Sequence, residues 1–170
     1  QKVGNFPGVT VDKKTGTANI TDSIAANFID LPGTYSLYPK RADEWVSYKV
    51  LLQKDEAVKP EMILLVADAS NLKRNLLFCS QIIDLKIPVI VALTMMDLAR
   101  KKGTQIDVPG LGRELGVPVV AINPRKNKNI EALKKVIEDV TLQLPQAPPR
   151  DFIDTFQLAP NAITDVKELF

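Results

Sequence analysis

Phe28-Ile29-Asp30-Leu31-Pro32-Gly33-Thr34 decides how the rest of the chain is read. An apolar approach through Ala25, Ala26, Phe28 and Ile29 stops at a carboxylate, and Pro-Gly follows at once. Pro32 fixes its own φ, and Gly33 lets the backbone take φ > 0 or approach a neighbour closely. The pattern is that of a buried strand delivering an acid to the edge of a sheet, followed by a tight turn. On these residues alone an ordinary acid-Pro-Gly turn is the commoner reading, so the flanking sequence has to decide.

Upstream, residues 1–11 read as loop, with Gly4-Asn5-Phe6-Pro7-Gly8 rich in turn formers. Val9, Val11, Thr15 and residues 17–20 suggest extended chain, with Lys13-Lys14-Thr15-Gly16 and Thr21-Asp22-Ser23 as turns. The second turn would join this chain to residues 25–30 in a hairpin. Downstream, residues 41–57 carry a helical stripe of Trp45, Tyr48, Val50, Leu51 and Leu52. Met62-Ile63-Leu64-Leu65-Val66-Ala67 is a continuous apolar run ending at Asp68, the form of a fully buried parallel strand.

Residues 71–85 follow as a helix with Leu72, Leu76, Ile82 and Ile83 on its apolar side. Pro88 opens a second apolar run, residues 89–93, which ends at Thr94 and leads into Met95-Met96-Asp97. A helix over 107–115 closed by Gly116, a strand over 117–122 ending at Asn123-Pro124, and an amphipathic helix over 129–142 complete the pattern. The last has Ile130, Leu133, Val136, Ile137 and Val140 on one side. Leu144-Pro145-Gln146-Ala147-Pro148-Pro149 then reads as a Pro-rich linker, and residues 160–170 start a further helix.

Strand alternating with helix, with strands apolar on both faces, predicts an α/β fold: three layers, a mostly parallel sheet, helices on both faces. Ligands of such sheets bind outside the carboxyl ends of the strands. Those ends carry Asp30, Asp68, Thr94 with Asp97, and Asn123 with a basic loop. Composition narrows the classes further. A length of 170 residues suits one domain with a short appendage, and a net charge of +2 gives no nucleic-acid footprint. The chain has no histidine and one cysteine, which excludes a disulfide framework and disfavours a His/Cys metal site. Cys79 lies in an apolar helical pattern and reads as core.

The order of these pieces resembles the G domain of P-loop GTPases, and within them that of the bacterial ferrous iron transport protein B family. Residues 3–11 (Val-Gly-Asn-Phe-Pro-Gly-Val-Thr-Val) are similar to the family's switch I segment, and Asp30-Leu31-Pro32-Gly33-Thr34-Tyr35-Ser36-Leu37 to its phosphate-sensing Asp-x-x-Gly segment. Residues 68–76 and 89–97 also resemble the family, the latter its base-recognition strand, and residues 117–130 the loop and helix over the base. The likeness spans about residues 3–143.

It implies a GTPase that binds GTP and GDP with Mg²⁺, through Gly8, Val9, Thr10, Val11, Asp12, Asp30, Leu31, Pro32, Gly33, Thr94, Met95, Met96, Asp97, Asn123, Pro124 and Arg125. Thr10 and Asp30 would hold the metal, Asp30 through water, as suits a cation that keeps several waters. The Gly33 N–H would meet the γ-phosphate, and Asp97 would accept two N–H bonds from guanine. Taken alone, Asp97 also fits an acid favoured by a helix N-terminus. The resemblance further implies coupling of nucleotide binding and hydrolysis to Fe²⁺ uptake at the cytoplasmic face of the bacterial inner membrane. The partner there would be a transmembrane iron-permease part of the same parent chain, with an oligomer in the membrane as one arrangement and no role for nucleic acid.

The chain departs from the general GTPase pattern at Thr34, as the resembling family also does, and from the family's own pattern in three further places. Thr34 stands where many GTPases place a water-orienting Gln, which leaves the catalytic group unassigned. No Gly-x-x-x-x-Gly-Lys-Ser/Thr occurs; its place is ahead of the switch segment, so the first strand and phosphate loop are expected to be absent from these 170 residues. That strand would sit between those ending at Asp30 and Asp68, so a gap or a different pairing is expected there. The base motif Asn-x-x-Asp reads Thr94-Met95-Met96-Asp97, and Thr has fewer hydrogen-bonding groups than Asn. In Asn123-Pro124-Arg125, proline lacks the N–H that would meet the guanine carbonyl.

The expected organisation is a partial GTPase domain over 1–144 and a linker with the start of a helical spacer over 145–170. The 170-residue chain alone is expected to be inactive and not to bind GTP below millimolar concentration. Two other readings stand beside the GTPase domain. One is a degenerate, nucleotide-free, switch-like protein-interaction module. The other, a flavodoxin-like domain, fits the α/β pattern but explains neither residues 3–11 nor residues 30–37.

Overall fold

The computed structural model describes residues 14–31, 51 and 60–144. Five strands and four helices lie within them. In chain order they are β1 (Lys14–Asn19), β2 (Ala25–Asp30), β3 (Ile63–Asp68), α1 (Leu72–Ile83), β4 (Val89–Thr94), α2 (Met96–Lys101), α3 (Val108–Leu115), β5 (Val119–Ala121) and α4 (Ile130–Gln143).

The sheet β3-β4-β5 is parallel throughout. Its strands run in sequence order because each crossover carries helix enough to return the chain to the same edge. β4 is central and its β-branched side chains fill both faces. Val89, Val91 and Leu93 point into one cluster with Phe78, Cys79, Ile82 and Ile83 of α1, Ala99 of α2 and Leu115 of α3. Ile90 and Ala92 point into a second cluster with Leu133 and Ile137 of α4. The two-residue alternation of a strand thus sorts one apolar run into two cores. The result is the expected three-layer α/β fold, with α1, α2 and α3 on one face and α4 on the other. Leu51 is buried in the first cluster; the rest of the predicted helix over 41–57 lies outside the described residues, as do residues 145–170.

β1 and β2 form the expected antiparallel hairpin, in a sheet of their own. Thr21-Asp22-Ser23 makes the turn: the Thr21 hydroxyl accepts from the Ile24 N–H at 3.1 Å, and the Ile20 N–H reaches the Ile24 carbonyl at 2.8 Å. Ile20, Ile24 and Ala26 then pack into the second cluster. The turn expected at Lys13-Lys14-Thr15-Gly16 is corrected: Lys14, Thr15 and Gly16 are inside β1, paired with Asp30, Ile29 and Phe28. Pairing with β2 satisfies the backbone of those residues, which outweighs the turn preference of Gly16.

β3 was expected to be buried on both faces, and here the structure differs. Only Ala67 is fully buried, and Val66 is 61% exposed. Among the described residues β3 pairs with β4 alone and shares no ladder with β2. β5 is three residues, shorter than the expected 117–122. Val117 and Ile122 are nevertheless buried in the two clusters.

α3 shows both ends as its sequence foretells. The Asp107 carboxylate accepts from the Gly110 N–H at 3.0 Å, and Gly116 takes the left-handed conformation (φ 69°) that terminates the helix. α2 follows Met95 directly and puts Asp97 in its first turn, where an acid suits a helix N-terminus; its extent was not anticipated, since six residues are too few for apolar periodicity to announce.

Candidate functional site

The carboxyl ends of β3, β4 and β5 form one rim, and the polar residues that close each strand are tied to one another. Asp68 and Thr94 are register partners. The Thr94 hydroxyl donates to the Ala67 carbonyl at 3.1 Å, joining β3 to β4 where their ladder ends. Asp68 turns its carboxylate to accept from the Ser70 N–H at 2.8 Å, capping a 3₁₀ turn over Ala69–Asn71. Asn75 donates back to the carbonyls of Asn71, at 2.9 Å, and Asp68, at 3.3 Å. From the far side Lys102 reaches the Ser70 carbonyl at 3.4 Å. The 3₁₀ turn and α2 are thereby held against each other.

Met95 sits between β4 and α2 in the left-handed region, at φ 57° and ψ 30°. An unbranched side chain bears that conformation at some cost. It turns the chain sharply so that Met95 stands 44% exposed beside the exposed Asp97 in the first turn of α2. Asp97 has no hydrogen bond or ion pair among the described residues.

Beside it, the loop after β5 is closed on itself. Asn123 and Lys128 exchange backbone hydrogen bonds, at 3.1 and 3.0 Å. The Lys126 N–H is held by the Asn123 carbonyl at 3.1 Å and by its side-chain oxygen at 3.3 Å. The Asn127 N–H goes to the Pro124 carbonyl at 3.2 Å. Asn127 and Asn129 both take positive φ, 50° and 61°, a conformation asparagine tolerates better than most. The Asn129 amide donates to the Ala121 carbonyl at 2.7 Å, fixing the start of α4 against β5. Pro124, Arg125, Lys126 and Lys128 are exposed around this loop.

Of the residues singled out from the sequence, the structure brings Thr94, Met95, Met96 and Asp97 to the end of β4 and Asn123, Pro124 and Arg125 to the end of β5. Asp30 closes β2 in the separate two-stranded sheet, exposed and opposite Lys14, and Leu31 packs against the first cluster. Gly8, Val9, Thr10, Val11, Asp12, Pro32 and Gly33 lie outside the described residues. Among the described residues no three His, Cys, Asp or Glu side chains gather as a metal site. Sequence reasoning missed Asn75, Lys102 and Asn129. The signal for Asn129 was present in Asn127-Lys128-Asn129, two turn-tolerant residues ahead of an apolar helix; the roles of Asn75 and Lys102 depend on tertiary placement.

Cys79 is fully buried in α1, and burial pushes its thiol up to about 11, partly countered by a backbone hydrogen bond. At neutral pH it is an unreactive apolar side chain, as its sequence context suggests.

The Fe(2+) transporter FeoB of Leptospira biflexa is 41% identical over 137 residues, covering 81% of this chain and 19% of that protein. The chain thus spans about a fifth of the length of the curated relatives it matches. The cytosolic domain of L. pneumophila FeoB superposes with a TM-score of 0.83 at 34% identity, over 99% of this chain and 62% of that one. The cytosolic domain of T. maritima FeoB in its GMPPNP form gives 0.79 at 34% identity, over 98% and 63%. A family profile described as "Ferrous iron transport protein B" matches residues 1–137, and the chain belongs to that family.

Proposed function

We propose that this chain is the guanine-nucleotide-binding part of a ferrous iron transporter, where GTP binding and hydrolysis are coupled to Fe²⁺ passage through a membrane part of the same parent. The observation that carries the reading is the side-by-side placement of Thr94–Asp97 and 123–125 at the carboxyl ends of β4 and β5. This is the rim where a parallel sheet takes its ligand. The family match and the GMPPNP form of the T. maritima relative support it.

In this reading Asp97 accepts the N–H donors of the base, and Met95 offers an apolar surface beside it. Gly8–Asp12 and Asp30–Gly33 are the residues this reading assigns to the phosphates. Mg²⁺, when bound with the nucleotide, would be held by the Thr10 hydroxyl and, through water, by Asp30; it neutralises phosphate charge. Asp30 is an exposed carboxylate at a strand end and suits such outer-sphere holding. No helix among the described residues is long and apolar enough to cross a membrane. A position at the cytoplasmic face of the inner membrane, attached to the permease part, is consistent with the relatives.

Calorimetry tests the reading. The full-length protein should bind GDP and a non-hydrolysable GTP analogue, and should hydrolyse GTP. The 170-residue chain alone should show no binding below millimolar concentration. Absence of guanine nucleotide binding to the full-length protein would overturn the reading.

One feature favours a second reading, the degenerate interaction module. The Thr94 hydroxyl and most of the backbone donors at residues 123–128 are already bonded within the protein. A rim so closed is also what a nucleotide-free scaffold would show. The same calorimetry separates the two.

A further inference from the structure

We infer that the carboxyl-end rim of the sheet docks on an anionic lipid surface through two clusters of cations, one on each side of β4; this rests on the attachment to a membrane part proposed above. The clusters are Arg100, Lys101 and Lys102 at the end of α2, and Arg125, Lys126 and Lys128 on the loop after β5. All six residues are exposed.

Charge is unevenly spread along the chain. Residues 95–104 and 123–129 hold six of its 22 Lys and Arg against one of its 20 Asp and Glu. These two segments are net +5, while the rest of the chain, with 16 cations and 19 acids, is net −3. Among the described residues no ion pair engages any of the six cations. Nearby acids are bonded elsewhere. Asp68 accepts from the Ser70 N–H at 2.8 Å, Asp107 pairs with Arg113 at 3.6 Å, and Glu131 pairs with Lys134 at 2.9 Å. Asp97 is the one acid within the two segments.

The fold puts the clusters on one face. Strand order is β3-β4-β5. α2 leaves the end of β4 and lies against the 3₁₀ turn that closes β3, where Lys102 reaches the Ser70 carbonyl at 3.4 Å. The second cluster sits at the end of β5, on a loop whose backbone is tied by the bonds between Asn123 and Lys128. Neighbouring strands are about 4.8 Å apart, which places the ends of β3 and β5 about 10 Å from each other. That is close to the screening length of about 8–10 Å at ordinary salt, so the clusters act on one patch of surface rather than as two points.

A plane of anionic headgroups meets exposed cations in any lateral arrangement, and roughly four to eight Lys and Arg beside a membrane make an effective patch. Met95 stands between the clusters, 44% exposed, and an unbranched apolar side chain suits the boundary between headgroups and acyl chains. Single-stranded nucleic acid would call instead for aromatic side chains on which bases stack, and neither segment contains one.

Lysine acetylation of the full-length protein tests this in nanodiscs of phosphatidylcholine alone and of an equal mixture with phosphatidylglycerol. Nucleotide is left out so that its phosphates do not compete for the same charges. With each site read by mass spectrometry, Lys101, Lys126 and Lys128 should react about fivefold or more slowly in the anionic discs, and the protection should vanish at about 0.5 M salt. Lys86, exposed ahead of β4 at the opposite end of the sheet, should react alike in both. The paired substitution Lys126→Glu and Lys128→Glu should abolish the protection of Lys101, because the clusters share one surface. Equal rates for the three lysines in the two kinds of disc would overturn the inference, as would protection of Lys101 that survives the paired substitution. Protection by an added RNA oligonucleotide in neutral discs, with none from anionic lipid, would overturn it in favour of nucleic acid. GDP binding by the same discs reports separately on the proposed function, whereas a full-length protein that does not insert into discs would overturn both.

Discussion

At the scale of single residues, Thr94 shows how a side chain can stand at a recognition position and act in the scaffold. Its hydroxyl bridges β3 and β4 at the last rung of their ladder. Thr94→Val keeps the shape and removes the donor, leaving the Ala67 carbonyl short of a partner. A loss of about 0.5–1.5 kcal/mol is expected in urea denaturation. The same substitution should leave nucleotide selectivity unchanged, because the hydroxyl is not available to the base. Cys79 gives a second readout. With its thiol raised by burial, alkylation at neutral pH should be negligible in the native state and appear only with global unfolding.

That residue scale was only partly legible in the chain. Asp97, Pro124 and Thr94 could be named because their segments resemble the family's base-recognition segments, and their donor and acceptor inventory then said what each could bond. What Thr94 bonds to could not, since its partner is 27 positions away and is set by strand register. Met95 gave no hint of its positive φ. Methionine has no turn preference, and the conformation is imposed by the junction of β4 with α2.

Among the elements, the loop after β5 depends on Asn129, which combines a left-handed backbone with a hydrogen bond to Ala121. Asn129→Ala should cost about 1–2 kcal/mol through both effects, whereas Asn129→Gly should recover the backbone part and lose only the hydrogen bond. Thermal unfolding of the pair separates the contributions. On α3, Gly116→Ala should destabilise by about 1 kcal/mol, because φ 69° suits glycine and strains alanine. The helices α1, α3 and α4 were readable from apolar spacing, caps and flanking turns. α2 was too short to read. β1 extended through Lys14-Thr15-Gly16 because its partner strand, rather than local preference, set its length.

For the whole molecule, the lesson lies in the contrast between β4 and β3. Both are continuous apolar runs in sequence, yet β4 is buried on both faces and β3 exposes Val66. Apolar sequence specifies a strand that can be buried; the side chains packed on its two faces decide whether it is. Ile90→Ala should therefore cost about 2–5 kcal/mol, since Ile90 is fully enclosed in the second cluster. Val66→Thr in the 170-residue chain should change stability by less than about 0.5 kcal/mol, as for an exposed position. The expected three-layer architecture is present, and among the described residues β2 and β3 do not pair with each other.

The proposed function turns on one contact, that of Asp97 at the end of β4 with a guanine base. The most direct test is the affinity of the full-length protein for GDP before and after Asp97→Asn. A loss of about tenfold or more is expected, as for removal of a charged hydrogen-bond acceptor, with unchanged thermal unfolding of the nucleotide-free protein. An affinity for GDP that does not change would contradict it.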